Sequence, residues 1–137
     1  RVTVKIPESY IPDETQRLST YKRISSLKLD SEIEDLRSEL EDRYGALPAE
    51  VESLMDYVRL RLLAERVLVR SIDRERDGIA IKFHEKTPVQ PQKLVDLVST
   101  IPGIVLSPNG VLKIQSAGWM PNEIFPSLRS LLLELAS

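Results

Sequence analysis

Apolar positions recur with a helical period along the first half of the chain and alternate along the second. The longest helical run is Pro48 to Val69. Within it Val51, Leu54, Met55, Val58 and Leu62 fall on one face of a 3.6-residue helix. Leu60, Leu63 and Val67 fall on the opposite side, so the helix is apolar on two flanks and can pack on two neighbours. It is expected to join an N-terminal helical part to a C-terminal part of strands and helices. Ahead of it, Asp13 caps a helix over about 14–28, with Leu18, Tyr21 and Ile24 inward and Arg17, Lys22, Arg23 and Lys28 outward. A second helix, over about 31–44 and capped by Asp30 or Ser31, carries the stripe Ile33, Leu36 and Leu40, extended by Tyr44. Gly45 stops it, and Pro48 opens the long helix where a missing N–H does no harm. Residues 1–12 form an extended arm in which Val2 and Val4 alternate with Thr3 and Lys5. Pro7 and Pro12 block a helix there. The arm is either an edge strand or a linker from a preceding domain.

After Val69 the period changes to two. Ile79, Ile81 and Phe83 alternate with Ala80, Lys82 and His84, the pattern of a half-buried strand. Asp77-Gly78 signals a tight hairpin that pairs about 69–74 with 79–84. Pro91 opens a helix whose inner face is Leu94, Val95, Val98 and Ile101, and Pro102-Gly103 ends it. A second strand pair follows, Ile104–Leu106 and Val111–Gln115, joined at Asn109-Gly110. A last helix begins at Pro121 or Asn122, with Ile124, Leu128, Leu131, Leu132 and Leu135 inside. The order strand-strand-helix thus occurs twice. The fold class expected is α+β: an N-terminal three-helix cluster, then two strand-strand-helix units forming a four-stranded antiparallel sheet with helices on one face. After the arm, residues 13–137 are expected to make one domain, with a helical part (13–68) and a sheet-helix part (69–137).

Composition narrows the class. Of the 137 residues, 42% are hydrophobic and 29% charged, the profile of a folded globular chain. No apolar run reaches the roughly 18 residues of a membrane span, and the start has no signal-peptide core. The chain opens on Arg1, so it is expected to be a piece of a longer protein. The absence of cysteine excludes disulfides and thiolate metal sites and fits a reducing compartment. A formal net charge of −2 argues against wholesale phosphate binding.

Catalytic patterns are missing. There is no G-x-x-x-x-G-K-[ST] phosphate loop and no G-x-G-x-x-G after a strand. The only histidine, His84, stands beside Glu85 and has no Cys or second His to build a metal site with. The domain is therefore expected to be non-catalytic and to need no cofactor. The best functional candidate is charge. Glu32, Asp35, Glu39 and Asp42, at i, i+3, i+7 and i+10, fall within about 80° of one another on the second helix. Such a flank suits a basic partner surface, or it is simply a solvated face. Arg59, Arg61, Arg66 and Arg70, on and after the long helix, are its counterpart together with the basic residues of the first helix, and Arg59, Arg66 and Arg70 are expected to share one side. They either touch nucleic acid, the alternative function, or pair with the acidic helix within the chain. Trp119 and Met120 either anchor an interface or cap the sheet.

The stretches YIPDETQRLSTYKRI (10–24) and DSEIEDLRSELEDRYGALPAEV (30–51) carry a resemblance. Their YIPD arm, RLS-x-YKRI helix and L-x-DRYG-x-LP junction resemble the C-terminal domain of bacterial transcription-repair coupling factors. The motifs are clear up to about Phe83, and element order carries the resemblance further. The resemblance implies a parent protein that is an ATP-driven DNA translocase, displaces stalled RNA polymerase and recruits UvrA for nucleotide excision repair in the cytoplasm. It implies that this domain is an autoinhibitory lid. The lid packs on the N-terminal UvrB-like module of the same protein, masks the UvrA-binding surface and restrains the motor. In that family an acid at the position of Glu39 meets arginine on the UvrB-like module. Glu32, Asp35 and Asp42 are expected to assist it.

Overall fold

The computed structural model describes residues 5–137; the Val2 and Val4 alternation lies outside them. The element order is α1 (Glu14–Ser25), α2 (Asp30–Tyr44), α3 (Ala49–Arg66), β1 (Val69–Arg74), β2 (Gly78–Phe83), α4 (Pro91–Thr100), β3 (Ile104–Leu106), β4 (Val111–Gln115) and α5 (Ile124–Ala136). A 3-10 turn, Pro121–Glu123, leads into α5. The chain divides into two compact units between Leu62 and Leu63, within α3.

In the first unit α1 begins as expected. The Asp13 carboxylate accepts from the N–H groups of Thr15 (2.8 Å) and Gln16 (3.2 Å), satisfying donors that a helix start leaves open. The helix ends at Ser25 rather than 28, and it is turned from the expected orientation. Thr20, Ile24 and Leu27 form the buried line, while Leu18 is 56% exposed. Thr20 can face inward because its hydroxyl donates to the Gln16 carbonyl at 2.8 Å, so no polar group is left bare. Arg17, expected in water, folds back and donates to the Ile11 and Pro12 carbonyls at 2.8 and 2.9 Å.

Residues 5–12 pack on the helices of this unit. Ile6 and Ile11 belong to the core, the Ile6 N–H donates to the Tyr21 hydroxyl, and the Tyr10 hydroxyl donates to the Gly45 carbonyl at 2.8 Å. The Tyr10 ring lies 5.7 Å from that of Tyr44 at a 55° tilt, a favoured aromatic arrangement. Ile33, Leu36 and Leu40 of α2 and Val51, Leu54, Met55 and Val58 of α3 complete this core.

Gly45 ends α2 at φ 91°, where a side chain would be strained. The start of α2 differs from expectation. Neither Asp30 nor Ser31 caps it: Leu29 holds the cap position and offers no side-chain acceptor. The Glu32 carboxylate reaches back instead, accepting from the Lys28 and Leu29 N–H groups at 2.9 Å each. This is one half of a capping box. The long helix stops at Arg66, short of Val69, because Leu68 adopts a left-handed φ of 55°. That turn feeds Val69 into β1, and the Leu68 carbonyl accepts from the His84 N–H at 2.8 Å.

In the second unit the four strands form one antiparallel sheet in the order β1-β2-β4-β3. The fold is the expected α+β class. Registers Ile79↔Ile114, Ile81↔Leu112 and Ile104↔Ile114 place these five side chains on one buried face. Lys82, Lys113 and Val105 occupy the opposite face and are exposed. All five apolar positions expected inside α5 are buried.

Two local expectations change. The first hairpin closes with the Glu75 N–H on the Gly78 carbonyl (2.7 Å), so Arg76 and Asp77 span the turn and Gly78 starts β2. A Cβ at residue 78 would lie 2.1 Å from the Ile114 carbonyl oxygen, so the glycine serves close strand approach rather than a left-handed turn. On α4 the inward residues are Leu94, Leu97 and Val98, with Leu97 buried, whereas Val95 is 50% and Ile101 36% exposed. The helix packs against β3 through one narrow stripe centred on Leu97.

Candidate interdomain interface

Helix α2 sorts its charges by side. Toward α3, Arg37 forms a two-point pair with Glu52, Nε–Oε1 at 3.2 Å and Nη2–Oε2 at 2.7 Å, and also meets Glu41 at 3.1 Å. The bond to Glu52 raises the Arg37 guanidinium above its ordinary pKa. Arg59 of α3 reaches Glu34 at 2.7 Å and Asp56 at 3.0 Å. Two of these pairs, Arg37–Glu52 and Arg59–Glu34, tie α2 to α3, while Glu41 and Asp56 pair within their own helices.

The other flank carries the four acids singled out by their spacing, and the structure gives them three different circumstances. Glu39 is half-buried, and its Oε2 accepts from Nη1 of Arg23 on α1. That bond, foremost, draws the Glu39 carboxyl below the ordinary glutamate pKa; the nearby charges of Arg23 and Arg43 add to the effect, and partial burial opposes it. With side chains 49% and 41% exposed, the pair contributes little to stability, about 0–1 kcal/mol. Its main consequence is geometric: the carboxylate is held at one oxygen at the surface between α1 and α2. Asp35 and Asp42, one turn to either side of Glu39, are exposed. Glu32 is exposed as well, but its Oε1 is committed to the start of α2.

The basic set is divided between α3 and β1. Arg59 is paired as above, and Arg61 donates to the Leu27 carbonyl at 3.1 Å. Arg66 ends α3, while Arg70 lies in β1, so the helical side expected to unite Arg59, Arg66 and Arg70 does not extend that far. His84 Nδ1 accepts from the Lys86 N–H at 3.0 Å within a turn. Trp119 is half-buried and Met120 is 62% exposed. Among the described residues, no group of three His, Cys, Asp or Glu side chains is disposed to hold a metal ion, and no helix is long and apolar enough to cross a membrane.

Sequence reasoning missed Arg23 as the partner of Glu39. The two are 16 positions apart on different helices, and no local period encodes their meeting.

A family model for the TRCF domain matches residues 1–94. The transcription-repair-coupling factor of Escherichia coli (strain K12) is 39% identical over 102 residues, covering 74% of this chain and 9% of that protein. The Bacillus subtilis (strain 168) factor is 33% identical over 94 residues, 67% of this chain and 8% of that protein. The chain therefore spans under a tenth of the length of these relatives. A crystal structure of the C-terminal domain of a transcription-repair coupling factor superposes with a TM-score of 0.86 at 23% identity, covering 99% of this chain and 88% of that one. The chain belongs to the TRCF domain family of transcription-repair coupling factors and has the fold of their C-terminal domain.

Proposed function

We propose that this domain is a non-catalytic regulatory lid of an ATP-driven DNA translocase, one that removes stalled RNA polymerase and recruits UvrA to start nucleotide excision repair. In the closed state the lid packs on the N-terminal UvrB-like module of its own protein and covers the surface that UvrA needs. UvrA and the lid then compete for one site, and the domain acts by biasing a closed-open equilibrium. The compartment is the cytoplasm. Family membership and the curated relatives support the identity of the parent.

The observation that carries the lid reading is the acidic flank of α2. Glu39 is pinned by Arg23 at one oxygen, and exposed Asp35 and Asp42 flank it a turn away on each side. A carboxylate already held in place loses little further freedom when a guanidinium arrives, and a charge-assisted bond forms with good geometry. Glu32 contributes less, because one of its oxygens already serves the helix start. Removing a hydrogen bond between charged groups costs about 1.5–3 kcal/mol, which moves a balanced equilibrium tenfold or more.

The test is binding in trans between this chain and the N-terminal UvrB-like module, measured at low and high salt. Wild type binds and weakens with salt; Glu39→Gln binds at least about tenfold more weakly. Equal binding by wild type and Glu39→Gln, or no binding at any salt, ends the acidic-contact reading.

A further inference from the structure

One residue beside the acidic flank is poorly matched to its position. Leu29 occupies the cap position of α2, where Ser, Thr, Asp and Asn are favoured and leucine is among the poorest choices. It is also 60% exposed, the most of the large apolar side chains among the described residues of the first unit. A leucine on the surface needs no explanation by itself. Here it combines two unfavourable features at one position: no acceptor for the open N–H groups of the helix, and an apolar side chain in water. The sequence already holds the second half of a capping box, with Glu32 three residues on and bonded to the Leu29 N–H at 2.9 Å. A serine at 29 would complete it. Departures of this kind from local consistency are expected where a residue serves something other than folding.

We infer that Leu29 is the apolar anchor of the α2 docking face and inserts into a hydrophobic recess on the basic surface that the acids grip. The inference rests on the lid reading above. The occupant follows from charge complementarity: the Leu29 N–H donates to Glu32, the first acid of the flank, so a partner that grips the flank meets this leucine at its edge. That partner surface must be basic with an apolar recess, and in the lid reading it is the UvrB-like module. Protein interfaces are built this way, with a desolvated apolar centre that holds the complex and a charged surround that orients it. The acids give salt-dependent steering, and Leu29 gives a component that salt does not screen.

The experiment uses the 137-residue chain and the N-terminal UvrB-like module, with three variants in parallel. Leu29→Ser should raise the melting temperature of the chain by about 2–5 °C through the completed cap. The same variant should weaken docking about five- to tenfold, with the salt slope unchanged. Leu29→Met, which keeps apolar bulk, should dock like wild type. Stability and affinity then move in opposite directions, which a merely structural role for Leu29 does not produce. Leu29→Ser docking as tightly as wild type overturns the inference, as does Leu29→Met docking no better than Leu29→Ser. Glu39→Gln serves as the control for the lid reading itself. If it weakens docking and Leu29→Ser does not, the lid stands and the anchor falls. If neither does, both fall.

Discussion

At the scale of single residues, Glu39 and Arg23 define the chemistry of the candidate face. Their contact holds the Glu39 carboxyl below its ordinary pKa, chiefly through the hydrogen bond from Arg23. A group whose folded pKa is depressed contributes its stabilisation above the unfolded pKa and loses it as pH falls through the folded value. Docking through Glu39 should therefore persist through neutral and mildly acidic pH and fade only below the usual glutamate range. A carboxyl-carbon NMR titration checks this. The Glu39 midpoint should lie below that of a solvated glutamate and move up in Arg23→Gln. Spacing alone brought Glu32, Asp35, Glu39 and Asp42 together as one flank, since helix geometry fixes angles between residues a few positions apart. It did not distinguish the carboxylate held by Arg23 from the one that caps a helix or from the two left in water. Those differences arise from neighbours on other elements and at the α2 start.

At the scale of elements, caps and turns follow local chemistry where that chemistry is unambiguous. Asp13 starts α1 and Gly45 stops α2. The second hairpin turns at Asn109-Gly110, with Gly110 at φ 83°. The first hairpin shows the limit of such reading. Asp77-Gly78 resembles a turn pair, yet Gly78 is required by the strand across from it. Gly78→Ala should place a methyl carbon against the Ile114 carbonyl, with no flexible atom to yield, and cost at least about 1–3 kcal/mol. Chemical denaturation measures this, with the same substitution at Gly118 as a control, since a Cβ there meets nothing within 4 Å. Helix orientation shows a similar limit. The period of α1 and α4 was visible, but each has apolar residues on more than one side. Burial chose Thr20 over Leu18, and Leu97 over Val95 and Ile101.

At the scale of the whole molecule, charge balance bears on whether a nucleic acid is a partner. The net charge of −2 is spread so that Arg59 faces Glu34 and Asp56, and Arg37 faces Glu41 and Glu52. Cations paired within the chain are less available to a phosphate backbone, which lowers non-specific affinity. A gel shift of this chain with duplex DNA at about physiological salt should show no complex. A tight complex with a steep salt slope would restore the nucleic-acid alternative.

The sequence by itself determined the number and type of elements, the α+β class, the pairing of neighbouring strands and the motifs that place the chain in its family. These are written in periods of 3.6 and 2 and in turn residues acting over a few positions, where backbone geometry leaves little choice. Only the tertiary structure decided the strand order β1-β2-β4-β3, the inward faces of α1 and α4, the packing of Ile6 and Ile11 into the core, and the pairing of Arg23 with Glu39. Each of these joins residues far apart in the chain, and such meetings are set by which apolar surfaces bury each other rather than by any local preference.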